Sequence, residues 1–175
     1  MTVLARTYTP TLEIRDDGRT LFGLAVPYNV EARIVEGRNR YTEVFTRGAF
    51  ADAAVHTLTA RHPKTGDDLP IGVSVELREE ADGLHGEWHV SDVPLGNDVL
   101  TLVRDKVPLG LSIGFVEGRN RWNRNRTRVE RLSATVDHTA VVRQGAYLGA
   151  EILGVRHAQQ PGAPRLLVAR LRARP

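Results

Sequence analysis

A chain of 175 residues with 41% hydrophobic and 26% charged content has the length and balance of one globular domain, and no apolar run in it approaches the roughly 20 residues that span a bilayer. It contains no cysteine, which excludes disulfides, thiolate metal sites and cysteine nucleophiles and leaves serine, histidine and the carboxylates to carry any chemistry. The net charge of +3 is small but uneven: Arg119, Arg121, Arg124, Arg126, Arg128 and Arg131 crowd one stretch and Arg165, Arg170, Arg172 and Arg174 another, the pattern of a solvated hairpin and a basic tail rather than of a nucleic-acid surface, since only Trp122 interleaves an aromatic.

Residues 1–10 lack the basic start and continuous apolar stretch of a secretory signal, so a soluble, cytoplasmic chain is expected. Residues 1–19 read as an N-terminal extension or first strand. Phe22, Leu24 and Val26 then alternate as a strand does, and Ile34 and Glu36 lead into turn signals at Gly37 and Asn39. Gly48 to Val55 is alanine-rich with apolar residues at helical spacing and predicts a short helix. Ile71, Val73, Val75 and Leu77 alternate, as do Leu84, Gly86, Trp88 and Val90, and Asp82-Gly83 between them predicts a hairpin turn. Asn97 or Gly96 is the expected cap of a helix carrying Val99, Leu100 and Val103 on one face and ending near Lys106, because Pro108 cannot continue it. A strand starts at Leu109. Beyond the arginine stretch, Leu132, Ala134, Val136, His138, Ala140 and Val142 form one face of a long strand. From residue 157 to 175 the composition changes to a Pro/Gly linker and a basic tail.

The strand Leu109-Gly110-Leu111-Ser112-Ile113-Gly114-Phe115 places large apolar residues on one face and Gly, Ser and Gly on the other. Its serine hydroxyl projects from a face cleared by two glycines, which suits a nucleophile approached by a substrate backbone. Taken alone, the same pattern describes a serine packed on the small-residue face of a buried strand. A serine needs a base, and imidazole is suited to it at neutral pH. Of six histidines, His56, His85, His89 and His157 read as surface residues, whereas His62 lies at the edge of the apolar face formed by Leu58 and Ala60, and His138 lies on the apolar face of its strand. Asp137 is turned to the opposite face, so it and His138 cannot both serve one site without a bulge; His138 is preferred. No histidine or carboxylate spacing matches a metal-ligand motif, and neither metal nor organic cofactor is expected.

Five stretches in order resemble the prohead serine protease family of tailed bacteriophages, which is similar to the herpesvirus assemblin proteases. They are Phe22 to Asn29, Phe45 to Phe50, His62 with Pro70-Ile71-Gly72, Gly110 to Phe115, and His138 to Tyr147. The resemblance spans residues 20–156 and implies a β-dominated α+β fold, a compact β-barrel surrounded by a few helices. It implies Ser112 as nucleophile, His62 as general base and a third member on the late strand, His138 or, if the alignment slips by one residue, Asp137. Many phage relatives carry a glutamate there, whereas a histidine resembles the herpesvirus Ser-His-His arrangement. Backbone oxyanion donors are implied near Arg143, Gln144 and Gly145. The implied function is a prohead-maturation endopeptidase inside the assembling prohead in the bacterial cytoplasm, cleaving scaffold protein or the scaffolding domain of the major capsid protein, and itself; the alternative is a non-catalytic capsid-assembly factor of the same fold. Its partners are then those capsid and scaffold proteins and, by likeness to the herpesvirus enzymes, a second copy; neither nucleic acid nor membrane is expected. Activity is expected to fall as pH drops through about 6.5 and His62 protonates.

Overall fold

A computed structural model describes residues 4–8, 12–14, 18–36, 38–51, 54–63 and 69–143. Twelve strands and one helix are found among them, in the order β1 (Leu4–Tyr8), β2 (Leu12–Ile14), β3 (Thr20–Pro27), β4 (Ala32–Glu36), β5 (Asn39–Phe45), β6 (Thr57–Thr59), β7 (Gly72–Glu79), β8 (Gly83–Val90), α1 (Pro94–Arg104), β9 (Leu109–Glu117), β10 (Asn120–Trp122), β11 (Arg128–Arg131) and β12 (Ala134–Arg143). An eight-stranded sheet, ordered β1-β9-β12-β6-β7-β8-β3-β2, curls into a half-barrel, and a four-stranded sheet is ordered β10-β11-β5-β4. The expected β-dominated architecture is therefore present, with α1 as the one described helix. No helix of the described residues is long and apolar enough to cross a membrane.

The core lies inside the curl. Leu21, Leu58, Ile71, Leu84, Trp88, Leu100, Leu111, Ile113 and Phe115 are fully buried there, with Phe45 and Phe50 stacked at 5.1 Å and Phe115 edge-on to Phe45. Each such side chain contributes roughly 1.5–3 kcal/mol relative to exposure. The β7–β8 hairpin forms as its alternation predicts, but Val73 and Val75 face outward while Ser74 is buried. The Ser74 hydroxyl accepts the His56 N–H at 2.9 Å, and a bulge between Ser74 and Glu76 reverses the alternation so that Leu77 turns back toward the core.

Two local expectations fail for physical reasons. The described residues of the 48–55 segment are not helical: residues 47–51 are turns, and Gly48 sits at φ +86°, a left-handed conformation that interrupts a helix. Backbone groups that a helix would use are taken by tertiary partners, since the Phe50 N–H donates to the Glu79 carboxylate at 2.8 Å and the Ala49 carbonyl accepts the Ala134 N–H at 2.7 Å. The residue capping α1 is Val93 rather than Asn97 or Gly96, with Pro94 in the first turn, where its missing N–H costs nothing. Gly96 instead joins Val99, Leu100 and Val103 on the buried face. In the arginine stretch, β10 and β11 pair as a hairpin and most of the arginines are exposed. Arg131 is the exception: it is buried, with its guanidinium bonded to the buried Glu43 carboxylate at 2.6 Å and to Glu117.

Candidate active site

Strand β9 lies between β1 and β12. Its odd-numbered residues Leu111, Ile113 and Phe115 enter the core, as their size dictates, and Ser112 faces the other side with Gly110 and Gly114. Contrary to the expectation of an open approach, Ser112 has no exposed surface. The clearance over Gly114 is filled by the His138 ring: a Cβ at Gly114 would stand 2.1 Å from His138 Cε1.

His138 reaches this side of the sheet because β12 is bulged. Val136 pairs with Phe115 and His138 with Gly114, so Asp137 is the extra residue. Side chains up to Val136 enter the core on even numbers; after the bulge the core-facing residues are Thr139 and Val141, opposite Ile113 and Leu111, while His138 and Ala140 stand beside Gly114 and Ser112. The single face expected for Ala134 through Val142 is thus split, and a regular strand would have aimed His138 into the core. The bulge also removes the objection to Asp137, whose carboxylate lies 2.8 Å from His138 Nδ1.

His62 arrives from the other flank. Strand β6 runs parallel to β12, pairing Thr57 with His138 and Ala140 with Thr59, and the half-buried His62, just past the bend that follows it, reaches side chains of β12 and β9. His62 Nε2 lies 2.5 Å from Ser112 Oγ, and His62 Nδ1 lies 3.0 Å from His138 Nε2, with the two rings inclined at 74°. Burial, and secondarily the neighbouring His138, push the His62 pKa down to about 4. His62 is therefore neutral, and able to accept a proton, well below the pH of about 6.5 at which a free imidazole protonates; the fall in activity expected there moves to lower pH.

One residue read as a surface histidine is not one. His56 is buried behind β12, and its pKa is lowered by burial. Its Nδ1 faces the Ala54 carbonyl at 3.2 Å and so carries the ring proton, leaving Nε2 to accept the Thr139 hydroxyl at 2.7 Å and the Trp88 indole N–H at 3.4 Å. This braces the core side of the bulged strand next to His138. No local pattern could have announced it, because Trp88 and Thr139 come from distant strands. His85 and His89 do lie on the outer side of β8, and His157 lies outside the described residues. Arg143 is exposed at the end of β12, opposite Leu109; Gln144 and Gly145 lie outside the described residues. Ligand atoms of Glu80, Asp82 and His85 converge within 4.8 Å at the exposed β7–β8 turn, where His85 bonds Asp82 at 2.9 Å.

The family model described as caudovirus prohead serine protease matches residues 6–161. Among solved structures the chain is similar to the capsid assembly protease gp21 of bacteriophage T4, at 12% identity and a TM-score of 0.57, covering 82% of this chain and 98% of that one. No curated protein sequence matches it.

Proposed function

The chain belongs to the caudovirus prohead serine protease family, and from that membership we propose that it is an endopeptidase of capsid maturation in which Ser112 is the nucleophile, His62 the general base and His138 the residue that positions His62. The observation that carries this reading is the 2.5 Å contact between Ser112 Oγ and His62 Nε2, with His62 held neutral by burial. Ser112 Oγ attacks the scissile carbonyl carbon as its proton passes to His62 Nε2. His62 then delivers that proton to the leaving amine as the C–N bond breaks. Water, giving a proton to the same nitrogen, attacks the acyl-enzyme, and the proton returns to Ser112 Oγ as the carboxyl product departs. A base pushed to about pKa 4 is weaker than the near-neutral optimum for proton transfer, so turnover is modest. Because Ser112 is buried, a substrate strand must part the groups over it before attack.

The substrates assigned by this reading are the scaffold protein or scaffolding domain of the major capsid protein, and the protease itself, met inside the assembling prohead. Co-expression with the capsid protein, followed by intact-mass measurement, tests it: cleavage is expected with the wild type and lost in Ser112→Ala and His62→Ala. A capsid protein processed equally by Ser112→Ala would overturn the assignment. The burial of Ser112 also fits a non-catalytic assembly factor of the same fold, which the same experiment identifies by capsids that form uncleaved with wild type and Ser112→Ala alike.

A further inference from the structure

We propose that Asp137 is a positioning residue of this site, its carboxylate fixing which nitrogen of His138, and through it which nitrogen of His62, carries the proton. The catalytic consequence rests on the protease reading above; the proton arrangement does not.

The inference follows from donor and acceptor bookkeeping along four groups. An ionised carboxylate only accepts hydrogen bonds, so the 2.8 Å contact between Asp137 Oδ2 and His138 Nδ1 places the His138 proton on Nδ1. A neutral imidazole has one N–H, so His138 Nε2 is an acceptor, and the atom 3.0 Å from it, His62 Nδ1, is the donor. His62 Nε2 is then bare, facing the Ser112 hydroxyl at 2.5 Å. With both rings neutral, these three contacts are satisfied by one arrangement, with each proton pointing from Ser112 toward Asp137. In the reverse arrangement a bare His138 Nδ1 would oppose the carboxylate, and His62 would present an N–H to the serine oxygen and have no lone pair with which to take its proton.

Two features of the chain place the carboxylate. Asp137 is the extra residue of the β12 bulge, and bulges re-aim a side chain at the cost of one regular ladder position. Gly114, across the pair, leaves the room that the His138 ring occupies. The Asp137 side chain is 47% exposed, so its pairing with His138 contributes little to folding, and a loss of function on its removal would be disproportionate to any loss of stability.

The test is nitrogen-15 NMR of the full chain labelled at histidine, at pH 7, with His62 and His138 resonances assigned through H62Q and H138Q. Both rings are expected as Nδ1–H tautomers in the wild type. Asp137→Asn, whose amide can donate as well as accept, is expected to shift His138 toward Nε2–H, to leave KM and the unfolding midpoint unchanged, and to lower kcat. Removing the carboxylate that directly orients a base costs about 10⁴-fold in a serine protease, and one ring further out the loss is expected at about 10–100-fold. A wild-type spectrum with His138 protonated on Nε2 overturns the proposal, as does an Asp137→Asn variant with unchanged tautomers and kcat. The wild-type spectrum decides even if the variant does not fold, and it decides separately from the protease reading, which falls if the wild type cleaves nothing.

Discussion

At Gly114 a missing side chain sets the geometry of the site. The His138 ring lies where a Cβ would be, 2.1 Å from its Cε1, so Gly114→Ala must push His138 away from His62. Displacement of a positioning group by about 1 Å can cost roughly 10²-fold in rate, whereas overpacking costs about 1–3 kcal/mol of stability. Gly114→Ala is therefore expected to fold and to cleave about 10²-fold more slowly; wild-type turnover in a folded variant would show that His138 is dispensable. The Gly-Leu-Ser-Ile-Gly-Phe run made the two faces of this strand legible, and the roles of its odd residues follow from size alone. In the sequence its glycines leave room for substrate, and what the local pattern cannot hold is that one of those spaces is taken by a ring from β12. His56 was illegible for the same reason, since Trp88 and Thr139, which meet its ring, come from distant strands.

Among the elements, β12 carries the site's departure from regularity. Alternation along Ala134 to Val142 is visible in the sequence, but a bulge is a mismatch between two strands and leaves no mark in one of them, so His138 was placed on the right strand and with the wrong neighbours. Residues 48–51 show the converse: helix propensity there is real, but Gly48 at φ +86° and tertiary hydrogen bonds to Glu79 and Ala134 prevail over it. The hairpin β7–β8 and helix α1 were legible because each rests on local periodicity and turn chemistry. Arg131 ties β11 to β5 and β9 through Glu43 and Glu117, immediately before β12. Breaking such a buried pair by removing one partner costs about 3–5 kcal/mol, because the remaining charge loses its counter-ion. Arg131→Met is expected to lower the urea midpoint accordingly, and the double variant Arg131→Met, Glu43→Leu to recover much of it. An unchanged midpoint in Arg131→Met would mean that the Glu43 charge is neutralised by other means.

For the whole molecule, the histidines that serve and brace the site make activity and stability respond differently to acid. His62 and His56 both have pKa values lowered by burial, so between their folded values and the unfolded value near 6.5 the unfolded chain binds more protons than the native one. Stability then rises with pH across that window and is lost as pH falls from about 6.5 toward 4. Between about pH 6.5 and 5 most carboxylates are ionised whether folded or not, so a falling unfolding midpoint in that interval reports the histidines. His62→Asn is expected to flatten the slope by removing a residue whose pKa burial pushes down to about 4. Over the same interval His62 in the native state remains neutral, so cleavage per folded molecule is expected to hold nearly constant. Thermal unfolding and initial cleavage rates on one pH series check both at once. A midpoint flat from pH 6.5 to 5, with a rate that halves near 6.5, would mean that His62 titrates as an exposed imidazole and that the packing of β6 against β12 does not exclude water from it.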